Sequence, residues 1–205
     1  MTENIKVKAG RDIKQDRAGV TRDQIVTAAF ECIRDLGYAR TTMELIAERA
    51  KCTRGGVAYH FGSNKSSVTL AVAAMLSDRL LAADLTDTTR GKARKDRILT
   101  ALHKAADVYS GEESLVLLDI WVGCRTDAEM REKLAQLVTE MNDKVVERWL
   151  QVAKLDKLTP EEQAYRLLFR AAMRGLMVER ILHGTNSVHK QAMRVLIDLG
   201  GEVFS

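Results

Sequence analysis

Proline is nearly absent from this 205-residue chain, in which Pro160 stands alone. Because proline breaks helix interiors but is common in the turns of all-β folds, its scarcity favours an all-helical chain. Cysteine is also scarce, and Cys32, Cys52 and Cys124 are odd in number, far apart and without CxxC spacing. They indicate reduced, structural thiols of a cytosolic protein rather than disulfides or metal ligands.

Long apolar segments are missing as well. The longest nearly apolar run, residues 115–124, is too short to span a bilayer, and the polar N-terminus does not have the form of a signal peptide. The chain contains no Gly-rich phosphate loop, HExxH motif or nucleophile elbow, and its four histidines are isolated. We therefore expect a cytoplasmic protein that is not an enzyme, with no catalytic residue, cofactor or metal.

The net positive charge of the chain comes entirely from its first third. Residues 1–65 contain 12 lysines and arginines against 8 acidic residues, whereas residues 66–205 contain 20 of each. This distribution is expected if the N-terminal part contacts a polyanion such as DNA, although a solvated basic face would have the same composition.

Helix-capping motifs divide the rest of the chain into about nine predicted helices and no strand. Residues 1–20 are polar, have no periodicity and are predicted to form a flexible tail. Capping boxes of the form S/T-x-x-E/Q mark several helix starts. The predicted helices begin at Thr21, Thr41, Thr53, Ser63 or Asn64, residue 93, residue 114, Thr126, Thr159 and about Ser187. The fourth ends near Leu85 before a loop at 86–92, and the ninth ends near Leu199.

The second and third predicted helices have the dimensions of a helix-turn-helix, whose second helix enters the major groove of DNA. Arg54, near the start of that helix, could donate two hydrogen bonds to guanine, while Gly55 and Gly56 leave room for close approach. Helix starts favour phosphate, and the further candidates for DNA contact are Thr41, Thr42, Thr53, Tyr59, His60 and Lys65. The same geometry also occurs in helical proteins that bind no DNA, where the threonines are only caps.

The segment IVTAAFECIRDLGYARTTMELIAERAKCTRGGVAYHFGSNKSSV resembles the N-terminal domain of the tetracycline-repressor (TetR) family of bacterial regulators. It departs from the family pattern at Lys51, where glycine is common, and in one extra residue between Phe61 and Lys65. The resemblance implies a tail at 1–20, a DNA-binding domain at 21–66 and a ligand-binding and dimerisation domain at 67–205. It further implies a cytoplasmic homodimeric repressor of a palindromic operator, released by a small molecule. An alternative is a DNA-binding regulator without an inducer, acting as an activator or controlled by a partner.

The eighth predicted helix carries Arg166, Arg170 and Arg174 in one polar stripe with apolar residues on both sides. One side, with the ninth helix, suits the family's four-helix dimer interface, or alternatively packing within the chain. The interface candidates are Leu168, Ala171, Ala172, Gly175, Val188, Ala192, Val195, Leu196 and Leu199. The candidates for a ligand cavity are Tyr109, Asp119, Trp121, Phe169, Met173 and Met177. Asp119 could instead form a salt bridge with Arg125 or an arginine of the eighth helix.

Overall fold

A computed structural model describes residues 21–82 and 93–204 of the chain. The described residues form nine α-helices and no strand, which confirms the predicted all-α class. Helices α1 to α9 span Arg22–Leu36, Met43–Arg49, Arg54–Phe61, Lys65–Ala82, Arg94–Tyr109, Glu112–Gly123, Ala128–Ala153, Pro160–His183 and Ser187–Val203. The predicted tail at 1–20, the helix end near Leu85 and the loop at 86–92 lie outside the described residues.

The capping motifs locate two helix starts correctly. The side-chain oxygens of Thr21 and Thr159 each accept a hydrogen bond from the backbone N–H three residues ahead. The backbone N–H of each threonine in turn donates to the side-chain oxygen of Gln24 or Glu162. Pro160 occupies the first turn of α8, where backbone N–H groups have no acceptor within the helix, so proline costs no hydrogen bond there. These local signals suffice because a capping box satisfies amides that the helix itself leaves open.

Some helix boundaries differ from the prediction. Thr42, and not Thr41, caps α2 by accepting from the Leu45 N–H. Asp127 rather than Thr126 accepts from the Met130 N–H at the start of α7. Helix α9 continues past Leu199 through Gly200 and Gly201. A Cβ at Gly200 would overlap Tyr165 of α8 and Leu102 of α5, and one at Gly201 would overlap Leu99 of α5. Close packing therefore accounts for a glycine pair inside a helix, at a position where sequence alone predicts an end.

One of two compact units comprises the described residues up to Leu76 together with Asp119–Ala135. In this unit α1 packs on α2, and α2 packs on α3. The side chains buried on these three helices and on the start of α4 include Ile25, Ala29, Ile33, Ile46, Val57, Phe61, Val68 and Val72. The unit is thus built around the predicted helix-turn-helix and also contains the adjoining ends of α6 and α7.

The second unit comprises the described parts of Ser77–Leu118 and Gln136–Ser205. Helices α5, α8 and α9 pack against one another, and aromatic side chains fill much of the core. Trp149 stacks on Phe204, while the Tyr165 hydroxyl donates to the Leu196 carbonyl at 2.7 Å. Burial raises the pKa of Tyr165, so its hydroxyl remains a donor at neutral pH. The functional domains predicted at 21–66 and 67–205 remain predictions. The two units defined by packing have different boundaries.

Candidate functional site

Helix α3 has one buried side and one exposed polar side. Val57 and Phe61 are buried, whereas Arg54, Tyr59 and His60 are exposed, and Tyr59 keeps 85% of its surface accessible. The Thr53 hydroxyl caps the helix by accepting from the Gly56 N–H at 3.1 Å. The rings of Tyr59 and His60 meet edge to face with centroids 5.2 Å apart. Packing therefore fixes the orientation of α3 and leaves the predicted DNA-contacting side chains facing outward.

Packing among the described residues does not require the two glycines of α3. A Cβ at Gly55 would meet only the Thr53 hydroxyl, at 3.8 Å, and one at Gly56 would find its nearest neighbour at 3.6 Å. These are ordinary van der Waals separations, and neither glycine has a positive φ. Because alanine would fit here and favours a helix more, packing among the described residues does not account for the two glycines.

Arg54 forms a surface ion pair with Glu44, its Nε lying 3.1 Å from Oε1. The pKa of Glu44 is lowered, first by a hydrogen bond from its own backbone N–H, then by the Thr42 hydroxyl and by Arg54. Both side chains are largely exposed, so solvent screens the pair and its strength is small. Glu44 therefore holds the Arg54 guanidinium only weakly beside α2. The Arg54 side chain can leave Glu44 and donate its hydrogen bonds to a stronger acceptor.

Two of the predicted phosphate contacts need correction. Thr41 is only 1% exposed, and its hydroxyl donates to the Gly37 carbonyl at 2.9 Å. Lys65 is half-buried, its Nζ donating to the Tyr38 carbonyl at 2.8 Å and lying 4.0 Å from the Tyr38 ring centroid. Burial lowers the pKa of Lys65, an effect opposed by Cys124 and Asp119. Both side chains hold the loop between α1 and α2 instead of facing outward.

Asp119 also binds the loop between α1 and α2. Its carboxylate accepts from the Tyr38 N–H at 2.6 Å, within the first unit. The Tyr38 ring lies so close to the backbone of Gly123 that a Cβ there would overlap it. Asp119 therefore ties α6 to the loop before α2, which corrects its predicted roles as a ligand contact or an arginine partner.

Several exposed cations of the first unit were not assigned from the sequence, among them Arg22, Arg40 and Lys51. The Arg22 guanidinium lies 4.9 Å from the centroid of the Phe61 ring, and Arg40 Nε donates to the Leu36 carbonyl. Lys51 has a φ of 54°, the left-handed conformation expected where the family has glycine. The positive charge of residues 1–65 is the one sequence signal that pointed to such side chains.

The predicted ligand-cavity residues do not all lie in one unit. Asp119 and the half-buried Trp121 belong to the first unit. Phe169, Met173 and Met177 are buried side chains of α8 in the second unit, and the Tyr109 ring meets the Phe169 ring edge on at 6.1 Å. Among the described residues no group of three or more His, Cys, Asp or Glu side chains could hold a metal ion.

Helices α8 and α9 carry most of the large exposed apolar side chains found among the described residues. Of the predicted interface residues, Leu168, Val188, Val195 and Leu199 are exposed, as are Ala171, Gly175 and Ala192, whereas Ala172 is half-buried. Leu196 is buried in the core and is removed from the interface set. Four further exposed residues of these helices lie outside that set, namely Leu167, Val178, Ile181 and Leu182.

Residues 25–72 match the family model described as bacterial regulatory proteins, tetR family. The HTH-type transcriptional regulator CymR of Pseudomonas putida is 25% identical over 173 residues, covering 83% of this chain and 84% of CymR. A transcriptional regulator from Rhodococcus sp. Rha1 shares the fold with a TM-score of 0.67 at 20% identity, over 87% of this chain and 95% of that one. The regulator FadR from Bacillus subtilis, solved with stearoyl-CoA, has a TM-score of 0.63 at 15% identity, over 88% of this chain and 97% of that one.

In the part of the chain that the structure describes, no helix is long and apolar enough to cross a membrane.

Proposed function

Because the chain belongs to the tetR family of bacterial regulatory proteins, we propose that it is a homodimeric transcriptional repressor, released from a palindromic operator by a small-molecule effector. It acts in the cytoplasm, where bacterial DNA lies. The observation that carries the proposal is the exposed side of α3, where Arg54, Gly55, Tyr59 and His60 face outward while Val57 and Phe61 are buried.

The chemistry of this side suits the major groove. Arg54 lies at the N-terminal end of α3, the end of a recognition helix that reaches base edges, and its guanidinium matches the two acceptors of guanine. The glycines beside it let the helix backbone approach the groove. Thr42, Thr53, Tyr59 and His60 carry hydroxyl and imidazole groups suited to phosphate oxygens, which position the protein without reading sequence.

The exposed apolar surface of α8 and α9 supports the homodimer. Leu168, Ile181, Leu182, Val188 and Val195 are each more than half exposed, an arrangement that is unfavourable in water unless another surface covers it. A palindromic operator presents two identical half-sites, so a two-fold symmetric pair of chains would present two copies of α3 to them.

A gel shift with a palindromic site from the protein's own promoter region tests DNA binding. Tyr59→Phe removes one phosphate donor from each chain and should weaken binding to every DNA sequence by a similar factor, roughly tenfold for each half-site if a charge-assisted hydrogen bond of about 1.5 kcal/mol is lost. Tyr109→Phe makes the same chemical change in the second unit and should leave affinity for DNA unchanged. Equal affinities for wild type and Tyr59→Phe would refute the role of Tyr59.

Sedimentation at micromolar concentration tests the dimer. The wild type should have twice the 22.9 kDa chain mass, and Val188→Glu should shift it towards the monomer. Val122→Glu introduces the same charge at an exposed valine of the first unit and should leave the mass unchanged. A monomeric wild type would contradict the homodimer. Dimeric protein that binds its operator but is released by no compound in a small-molecule screen would favour a regulator without an inducer.

A further inference from the structure

Helix α1 begins beside the end of the helix that carries the candidate DNA-contacting side chains. Arg22 is the first residue of α1, and Phe61 is the last residue of α3. The Arg22 guanidinium carbon lies 4.9 Å from the centroid of the Phe61 ring, within the reach of a cation–π contact. Phe61 is only 7% exposed, and a ring packed into the core has little freedom to move. The Phe61 ring therefore holds the exposed Arg22 side chain at the end of α3.

Within the described residues, this contact leaves the hydrogen-bond donors of Arg22 without an oxygen. A guanidinium carries several N–H donors, whereas the face of a phenyl ring attracts the charge but offers no lone pair. No hydrogen bond or ion pair joins the Arg22 side chain to another residue that the structure describes. The adjacent Asp23 lines a surface groove with Ala50 and Lys51. Arg22 can therefore donate to an acceptor that these residues do not supply.

The end of α3 is also where two candidate phosphate-binding side chains lie. Tyr59 and His60 are exposed, and at a rise of about 1.5 Å per residue they lie within about 3 Å of Phe61 along the helix axis. Arg54, at the start of α3, lies about 10 Å from Phe61 along the same axis. The major groove is about 8.5 Å deep, so a helix whose start reaches the base edges brings its end to the level of the phosphates. Arg22 lies beside that end.

We propose that Arg22 binds a phosphate of the DNA backbone, and that the Phe61 ring holds its guanidinium in place for this contact. The assignment rests on the proposed function, because it adds a contact to the same DNA interface. A guanidinium matches phosphate oxygens with paired hydrogen bonds, and such contacts position a protein on the duplex without reading sequence. Arg22 thereby supplies a phosphate contact of the kind predicted for Lys65, whose ammonium group faces inward to the Tyr38 carbonyl.

The salt dependence of DNA binding tests the contact. Fluorescence anisotropy of the full chain is measured over a range of salt concentrations, with a labelled palindromic operator and with a random-sequence duplex of equal length. One phosphate contact contributes about 0.9 to the slope of log affinity against log salt, so losing one in each half-site should reduce the slope by about 1.8. Arg22→Met should show this reduction on both duplexes. Its affinity for the operator should fall by roughly tenfold for each half-site.

Two further variants separate the phosphate contact from a general effect of charge. Arg131→Met removes the same charge at an exposed position of α7 and should keep the affinity and the salt slope of the wild type. Arg22→Lys retains the charge and should keep the wild-type slope, with a smaller loss of affinity than Arg22→Met, because an ammonium group cannot donate the paired hydrogen bonds.

An unchanged salt slope in Arg22→Met would overturn the proposal. If Arg22 only holds α1 against α3, Arg22→Met should lower the urea midpoint and weaken DNA binding while the slope stays that of the wild type. A loss of discrimination at one base pair of the operator, with affinity for the other single-base variants retained, would place Arg22 on a base and would also contradict the phosphate contact.

The two duplexes allow this proposal and the proposed function to fail separately. A wild type that binds the operator tightly, together with an unchanged slope in Arg22→Met, would refute the Arg22 contact and leave the repressor in place. A wild type that prefers no operator, with a reduced slope for Arg22→Met on the random-sequence duplex, would support the phosphate contact and contradict the repressor. A wild type that binds neither duplex would contradict both.

Discussion

Replacing either glycine of α3 by alanine should stabilise the protein and at the same time weaken its binding to DNA. Alanine is preferred over glycine in helices by about 0.5–1 kcal/mol, and the structure provides room for a Cβ at Gly55 and at Gly56. For a chain of this size, 1 kcal/mol corresponds to a rise of about 2–4 °C in the unfolding midpoint. If α3 lies against DNA, the added methyl overpacks that contact at a cost of about 1–3 kcal/mol, or roughly five- to 150-fold in affinity.

Urea unfolding gives the change in stability, and fluorescence anisotropy with a labelled operator gives the change in affinity. Thr27→Ala in α1 is the matched control, because it raises helix propensity at an exposed position outside α3 and should leave affinity unchanged. Gly62→Ala is the opposite control, since its φ of 74° makes a side chain unfavourable and the variant should lose stability. A Gly55→Ala protein that gains stability and still binds the operator as tightly as wild type would refute the close approach of α3 to DNA.

Three further substitutions follow from contacts in the first unit. Glu44→Gln removes the carboxylate beside Arg54, so the operator affinity measured by anisotropy should rise severalfold; a fall would show that Glu44 orients Arg54 productively. Lys51→Gly should raise the free energy of unfolding by about 1 kcal/mol, because glycine adopts a positive φ without strain; an unchanged or lower urea midpoint would contradict this. Asp119→Leu leaves the Tyr38 N–H without its acceptor and should lower the free energy of unfolding by about 1–3 kcal/mol, with Asp119→Asn losing less; equal losses would show that the hydrogen bond is not the cause.

Local signals account for what could be predicted from the sequence. Capping boxes at Thr21 and Thr159 and the helical spacing of apolar residues depend on neighbours a few positions apart, so they located helices correctly. The orientation of α3 also followed, because Val57 and Phe61 are apolar while Arg54 and Tyr59 are polar. Amphipathic patterning therefore predicts a candidate interface when all of its residues lie on a single helix.

Long-range contacts account for what could not be predicted. Lys65 faces inward because the Tyr38 carbonyl lies within its reach, and Asp119 is taken up by the Tyr38 N–H, 81 positions away in sequence. No periodicity indicates such pairs. The arginine stripe of α8 was visible in the sequence, but the half-burial of its three arginines depends on how the neighbouring helices pack. Leu196 was assigned to the dimer surface because the apolar stripe of α9 does not show which of its residues pack into the core of the same chain.

The most direct test of the central claim compares wild type and Arg54→Ala on every single-base variant of the operator. If α3 reads the major groove, wild type should discriminate strongly at one symmetry-related guanine in each half-site, by about 1–3 kcal/mol. Arg54→Ala should lose that discrimination at this position and keep it elsewhere. A uniform loss of affinity across all variants would place Arg54 on the phosphate backbone, and unaffected binding would contradict base reading by Arg54.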